Sequence, residues 1–472
     1  MLRKLINTVI DTPLQTPTAF PHPFTKKETL HLSWLTQLTP CFPISAKNIS
    51  ILYEPADFYN ALLEYGQKAK ERITIASLYL GNGDLEKKLV KSLMDNSQLS
   101  QLKINILLDY ARGSRFANNS RKMLQPLLQQ SSSCTLSLYH TPTLRGVLKK
   151  VMPNRWNELF GVQHMKLYIF DDTLIISGAN LSNDYFTNRQ DRYFVIKDNN
   201  LCDFYDGLIK RVQKFSIKVD ENDSEEFGEY GSPYEGSKNN FIEKAGDGIE
   251  KYLAEVKVDQ NNHKHEGFDT WIFPLVQMGQ LGVVQDVQVT AKIFGDALPG
   301  TRMNIATAYF NLTHDYVRSL IFKSKAECNL LMAHPEANGF LGAKGMAGGI
   351  PDGYTLLARR FKAQLDRQCQ QNRIHLLEYI RKGWTYHAKG LWYYSPGSEK
   401  PSMTLIGSPN FGDRSVLKDL ETQIAIVTEN PELQEKLHDE CTRLYKLGLR
   451  GDFKREVPHW VYAMVFLFKD FF

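Results

Sequence analysis

The chain has 472 residues, 42% of them apolar and 23% charged, with a formal net charge of +5. That is enough length for two domains with their own cores, an ordinary globular composition, and too mild a charge to mark a nucleic-acid binder. The six cysteines form no C-x-x-C pair, as expected of reduced thiols in a non-secreted protein, and no apolar run approaches the roughly 18–20 residues that span a bilayer, so the chain is expected to be soluble or peripheral.

Residues 1–45 are rich in Pro and Thr and read as an extended arm. The first of them, MLRKLINTVIDTP, set Leu2, Leu5, Ile6, Val9 and Ile10 at helical spacing beside Arg3 and Lys4. A short targeting or membrane-surface helix is one reading and a frayed terminus is the other. From Ser50 strands and helices alternate: strand Ile51–Tyr53, helix Pro55–Arg72, strand Ile73–Leu80, helix Asp84–Met94 and strand Leu102–Asp109. Such alternation predicts an α/β sheet layered with helices. The pattern returns downstream, where Met303–Phe310 (MNIATAYF) matches ITIASLYL and is followed by an apolar helix, Tyr316–Phe322, and a strand, Cys328–Ala333. We read an internal duplication, with the active site between two pseudo-symmetric halves.

The stretch 219–236 is acidic and rich in Gly and Ser, and reads as a solvated linker. The expected organisation is an arm over 1–45, a first half over 46–218, an acidic linker or insertion over 219–269, and a second half over 270–472. Gly339–Gly349 lacks G-K-[ST] and so is no P-loop. Trp460–Phe468 is half a membrane span, either a helix packed on the body or one inserted into a single leaflet.

The chemistry-bearing residues lie in two copies. Gln163–Ser182 reads QHMKLYIFDDTLIISGANLS; His164 and Lys166, two apart on a strand, point to one face, with Met165, Leu167 and Ile169 on the other. Asp171 lies at the hairpin turn and Asn180 near its mouth. The second copy has His387 and Lys389 in YHAKGLWYY, then Asn410 in TLIGSPN. Eleven residues beyond each Asn stands an acid, Asp191 or Glu421. Two imidazoles with ordinary pKa near 6.5 can divide a phosphodiester transfer: one, neutral, attacks phosphorus, and its protonated partner protonates the departing oxygen and then deprotonates the incoming alcohol. Lys166 and Lys389 would hold the phosphoryl oxygens; Asn180, Asn410, Ser177 and Ser408 would donate to them; Asp191 and Glu421 would each fix a histidine tautomer. Arg112, Arg115, Arg145 and Arg414, with Lys149, Lys150 and Arg155, form basic groups suited to anionic substrates or to an anionic lipid surface. No zinc-like spacing occurs, so no metal and no cofactor is expected.

These motifs resemble the phospholipase D superfamily, whose signature is H-x-K-x-x-x-x-D followed by a G-S-x-N-like segment in each half. The first copy has His164, Lys166 and Asp171 but Ser177-Gly178-Ala179-Asn180; the second has Gly407-Ser408-Pro409-Asn410 but Tyr394 in place of the Asp. The His-to-Asn span is longer in the second copy by the loop Ser395–Pro401, which argues that Asp171 serves the turn more than the chemistry. Within the superfamily, SLYLGNG, LLDYARGSR, GWTYHAKGLW and LIGSPNFGDRSVLKDLETQIAIVTEN resemble the eukaryotic-type phosphatidylglycerophosphate synthases. The resemblance implies a phospholipase D-like α/β/α sandwich, His164 as nucleophile, CDP-diacylglycerol and glycerol 3-phosphate as substrates, and a peripheral place on the mitochondrial inner membrane. A hydrolase of the same superfamily, or a lipid-surface binding module without turnover, are the alternatives.

Overall fold

The computed structural model describes residues 23–152, 157–260 and 267–468. The amphipathic reading of the first residues, and Arg155, lie outside them. Two large sheets repeat one topology. The first runs Glu225–Phe227, Ile217–Val219, Cys134–Tyr139, Lys103–Asp109, Arg72–Ala76, Leu167–Phe170, Thr173–Ser177, Tyr193–Lys197, Ile49–Leu52. The second runs Gly448–Arg450, Ile374–Tyr379, Glu327–Ala333, Arg302–Thr307, Lys389–Tyr394, Met403–Gly407, Leu420–Thr428, Thr270–Met278, Phe42–Ile44. From Cys134–Tyr139 to Ile49–Leu52 and from Ile374–Tyr379 to Thr270–Met278 the strands correspond one for one. In each, parallel strands give way to an antiparallel hairpin that follows the H-x-K segment. The duplicated α/β sandwich expected from the sequence is the fold observed.

Periodicity explains the layers. Helices Pro55–Lys68, Asp84–Met94 and Ser120–Gln130 bury Phe58, Leu62, Leu93 and Leu127 on the outer face of the first sheet. Gln285–Gly295 and Ile350–Arg367 cover the second in the same way, with Val287, Phe294 and Phe361. Between the sheets a single core takes Ile176 and Phe194 from the first half and Ile406 and Ile424 from the second, closed by helices Asn199–Lys214 and Pro431–Tyr445. Each fully buried side chain of this kind contributes about 1.5–3 kcal/mol, so the shared core binds the halves into one unit.

Two stretches differ from their composition-based reading. The arm is not merely extended: Lys27–Leu30 and Leu35–Leu38 are short helices, and Phe42–Ile44 pairs antiparallel with Thr270–Ile272 of the second sheet. Glu429 accepts the N–H groups of Thr25 (2.8 Å) and Lys26 (2.9 Å) and clamps the arm there. The acidic stretch is not wholly solvated either. Ile217–Val219 and Glu225–Phe227 form a hairpin on the first sheet's edge, where Asp223 takes the Arg121 Nε at 2.7 Å. The helix that follows, Lys238–Gln260, sends Phe241, Ala245 and Ile249 into the shared core. Their i, i+4, i+8 spacing was hidden among polar neighbours.

One buried cation ties the halves together. Arg192, 1% exposed, crosses into the second half and meets Glu440 in a two-pronged pair, Nε to Oε1 and Nη2 to Oε2, both 2.8 Å. Its Nη1 donates to the Leu405 carbonyl (2.7 Å), and Trp392 Nε1 donates to Glu440 (2.9 Å). Gly390, at φ +132°, makes the room: a Cβ there would lie 2.3 Å from Arg192 Nη1 and 2.2 Å from the Leu405 oxygen. Arg192→Met leaves Glu440 buried without its cation and is expected to cost about 3–5 kcal/mol in urea unfolding, with Glu440→Leu in the same chain restoring much of the loss. A single variant that unfolds at the wild-type midpoint would show that the pair is not the tie.

Candidate active site

His164 and His387 lie outside the strands that follow them, although Lys389 already opens Lys389–Tyr394. Each leaves its own sheet and crosses to the other half. His164 N–H donates to the Leu420 carbonyl (2.9 Å), and His387 N–H donates to the Gln190 carbonyl (2.8 Å). The side chains follow the backbone. His164 Nδ1 lies 2.9 Å from Glu421 Oε1, and His387 Nδ1 lies 2.7 Å from Asp191 Oδ2. Each imidazole is therefore held by the acid of the opposite copy, which turns its Nε2 edge outward. Ser408 Oγ donates to Glu421 Oε2 from behind.

Both histidines face one cavity of about 740 Å³ between the halves, whose wall also includes Asn180, Asn410, Arg112, Arg115 and Arg414. The two asparagines each have a buried Oδ1 without a partner. Because an amide's two ends exchange by a flip, each offers a donor or an acceptor to a ligand oxygen. Three guanidinium groups converge on Glu158: Arg115 Nη1 at 2.9 Å, Arg112 Nη1 at 3.5 Å, and Arg414 Nη2 on its backbone oxygen at 3.0 Å.

Several expected residues lie elsewhere. Asp171 is no part of the cavity. It sits at the hairpin tip at φ +52°, where its carboxylate accepts the N–H groups of Lys70, Glu71 and Arg72 at 2.8–3.1 Å. Ser177 Oγ is turned away and donates to the Arg192 carbonyl (2.6 Å), while Ser408 serves Glu421 instead of a phosphoryl oxygen. Arg145 Nη2 donates to the Gly236 carbonyl (2.6 Å), fastening the acidic stretch. The lysines lie beneath the histidines, Lys166 0% and Lys389 1% exposed, and burial holds Lys166 well below its ordinary value although Glu421 pulls the other way. Lys166 Nζ donates to the His164 carbonyl (2.6 Å), and Lys389 Nζ lies 2.7 Å from His387 Nδ1 and 3.8 Å from Asp191.

Gly178 explains why the first copy reads S-G-A-N. A Cβ there would stand 2.6 Å from Lys389 Cδ and 2.8 Å from the Asp191 carboxylate, so the serine is displaced by one position. Residues that motif reading passed over include Tyr185, Arg189, Tyr309 and Asp419, all on the cavity wall. A signal existed for two of them: Arg189 and Asp419 each stand two residues before the histidine-holding acid.

His164, Asp419 and Glu421 bring ligand-type atoms within 4.8 Å of one another. Asp419 already pairs with Arg414 (3.0 Å) and accepts the Val162 N–H (3.0 Å), and Glu421 is taken by His164 and Ser408. With Lys166 and Arg414 alongside, this donor set balances protein cations and fits a divalent ion poorly.

Burial and then the lysine beneath hold both imidazoles well below their ordinary value, so both are neutral near neutrality, not split between neutral and charged. Burial lifts Asp191 to about 6, although Lys389 pulls the other way, and burial draws Lys389 down to about 8 against Asp191 and Glu421. Asp191 is thus charged above about 6 and Lys389 below about 8, so kcat/KM is expected to rise through the first value and fall through the second. Lys389→Arg keeps its cation and is expected to remove the alkaline limb; a wild-type limb in that variant would assign it to another group.

Comparison with known proteins places this arrangement. Residues 62–213 match the family described as "Cardiolipin synthase, PLD-like domain". The mitochondrial CDP-diacylglycerol–glycerol-3-phosphate 3-phosphatidyltransferase of Gallus gallus is 40% identical over 99% of this chain and 91% of its own. The Homo sapiens protein of that name is 40% identical over 93% of this chain and 85% of its own, and the Saccharomyces cerevisiae transferase 33% identical over 92% and 91%. Among solved structures, phosphatidylserine synthase from Haemophilus influenzae Rd KW20 shares the fold, with a TM-score of 0.70 over 94% of this chain and 97% of its own at 19% identity.

Proposed function

Because the chain belongs to the CDP-diacylglycerol–glycerol-3-phosphate 3-phosphatidyltransferases, within the phospholipase D-like proteins, we propose that its transfer runs through a phosphohistidine on His164. The overall reaction moves the phosphatidyl group from CDP-diacylglycerol to glycerol 3-phosphate and releases CMP. The observation that carries the histidine route is the pair of imidazoles on one cavity, each with Nδ1 on the acid of the other copy.

A neutral His164 presents a lone pair at Nε2. Attack on the phosphatidyl phosphorus forms a P–N bond and breaks the P–O bond to CMP. A departing phosphate oxygen is stable as an anion, so this step makes a small demand on an acid. The second step makes a large demand on a base, because the acceptor hydroxyl must lose its proton as it attacks. A neutral His387 is suited to take that proton, and the P–N bond then breaks to restore His164. Arg112, Arg115, Arg414 and the two asparagine amides hold the phosphoryl oxygens.

The test is CMP release and lipid product from CDP-diacylglycerol in chelator, with and without glycerol 3-phosphate. Wild type is expected to turn over; His164→Ala is expected to release no CMP. His387→Ala is expected to release about one CMP per chain and then stall, with the acceptor step slowed roughly 10²–10⁴-fold. The stalled chain should carry a phosphatidyl group on His164 by mass spectrometry. Turnover abolished by chelator, or acceptor-independent CMP release, sinks this route.

The cavity mouth supports a contact with the membrane surface. Met464 and Phe468 of helix His459–Phe468 line the cavity, while Val461 and Val465 pack on Leu356. Around the opening Phe116 is 71% exposed, Phe466 78% and Leu467 66%. None of the described helices is long and apolar enough to cross a membrane. These side chains enter one leaflet and let the diacyl tails stay in lipid while the headgroup reaches the histidines. Relatives named mitochondrial make the inner membrane the site we propose. Phe466→Asp with Leu467→Asp is expected to weaken sedimentation with anionic liposomes about tenfold or more; unchanged sedimentation would move the contact to another face.

A further inference from the structure

Aligned on Asn180 and Asn410, the two copies set Asp184 opposite Arg414, Tyr185 opposite Ser415, and Arg189 opposite Asp419. Both therefore carry an ion pair five residues apart, with the charges exchanged. Arg189 Nη2 lies 3.1 Å from Asp184 Oδ2, and Arg414 Nε lies 3.0 Å from Asp419 Oδ2. The exchange changes what stands next to each histidine. Beside His164 it is the Asp419 carboxylate, within 4.8 Å. Beside His387 it is a guanidinium: Arg189 lies 4.7 Å from the centroid of the Tyr185 ring, whose hydroxyl is 3.2 Å from His387 Nε2.

In-line displacement on a phosphorus attacked by His164 puts the incoming hydroxyl on the opposite side, toward His387. The loop over that side is the glycine-rich Gly339–Gly349. A Cβ at Gly339 would lie 3.1 Å from Arg189 Nη2 and 3.4 Å from the Tyr309 hydroxyl, so bare backbone closes on the guanidinium. Lys344 of the same loop is exposed and lines the cavity. The three arginines of the other side, backed by Glu158 and Asp419, serve the reacting phosphoryl group, whereas Arg189, its Nε held by Thr385 Oγ1 at 2.9 Å, turns Nη2 to Asp184, a carboxylate 58% exposed that water readily takes over.

Resting on the phosphatidyl-transfer reading, we propose that Arg189 and Lys344 bind the phosphomonoester of the acceptor, under the loop at Gly339. A dianion anchored there directs the hydroxyl at the acceptor's far end toward His387. The charge exchange between the copies then gives an otherwise two-fold cavity its direction, and selects a phosphorylated polyol over a neutral one.

The test uses the full chain in detergent with saturating CDP-diacylglycerol and compares kcat/KM for glycerol 3-phosphate with that for glycerol. Lys344→Ala is expected to cut the preference for glycerol 3-phosphate roughly tenfold, mainly through KM, as loss of one charged contact does. Arg189→Gln is expected to cut it further, and Arg189→Lys to restore part. A preference unchanged in both Lys344→Ala and Arg189→Gln overturns the phosphate site and leaves the transferase reading standing. A wild-type chain whose CMP release ignores glycerol 3-phosphate overturns both.

Discussion

Each cavity histidine takes its backbone hydrogen bond and its carboxylate from the opposite half of the chain. His164 leans on Leu420 and Glu421, and His387 leans on Gln190 and Asp191. A hydrogen bond to an ionised partner is worth about 1.5–3 kcal/mol, and more is lost when a buried acid is left alone. The halves therefore cannot slide or open without breaking the site first. Arg192 adds to this lock one residue beyond Asp191, with its charge answered by Glu440 on the far side. The shared inner core supplies the bulk of the adhesion, and the polar crossings set its register.

The lock also governs the electrostatics. Burying two lysines under two imidazoles is costly unless acids stand nearby, and Asp191 and Glu421 do so in both places. The same burial keeps the imidazoles neutral, which suits a nucleophile and a base. Thus the arrangement that makes the interface rigid also prepares the nitrogens for phosphorus chemistry.

Much of the architecture could be read in advance because the duplication left two imprints of one pattern. ITIASLYL and MNIATAYF lie on equivalent strands, and the two H-x-K segments precede equivalent hairpins. What escaped was whatever depends on one copy touching the other. Nothing local to Glu421 says that it serves His164. The signature itself gave Asp171 more weight than it deserved, since that carboxylate only caps three backbone amides of a turn. The core face of Lys238–Gln260 was masked because charged residues surround it, and the arm's strand because its partner, Thr270–Ile272, lies more than two hundred residues away.

That distant partner bears on how the chain is made. Strand Phe42–Ile44 leaves the ribosome early, but the strand it pairs with, and the Glu429 that clamps its approach, come far later. At about 5–20 residues per second, the delay is on the order of tens of seconds. Over that interval the early segment exposes an unpaired edge, and His164 has no Glu421. The first half therefore holds an incomplete site until the last third of the chain, with Glu421 and Glu429, has emerged.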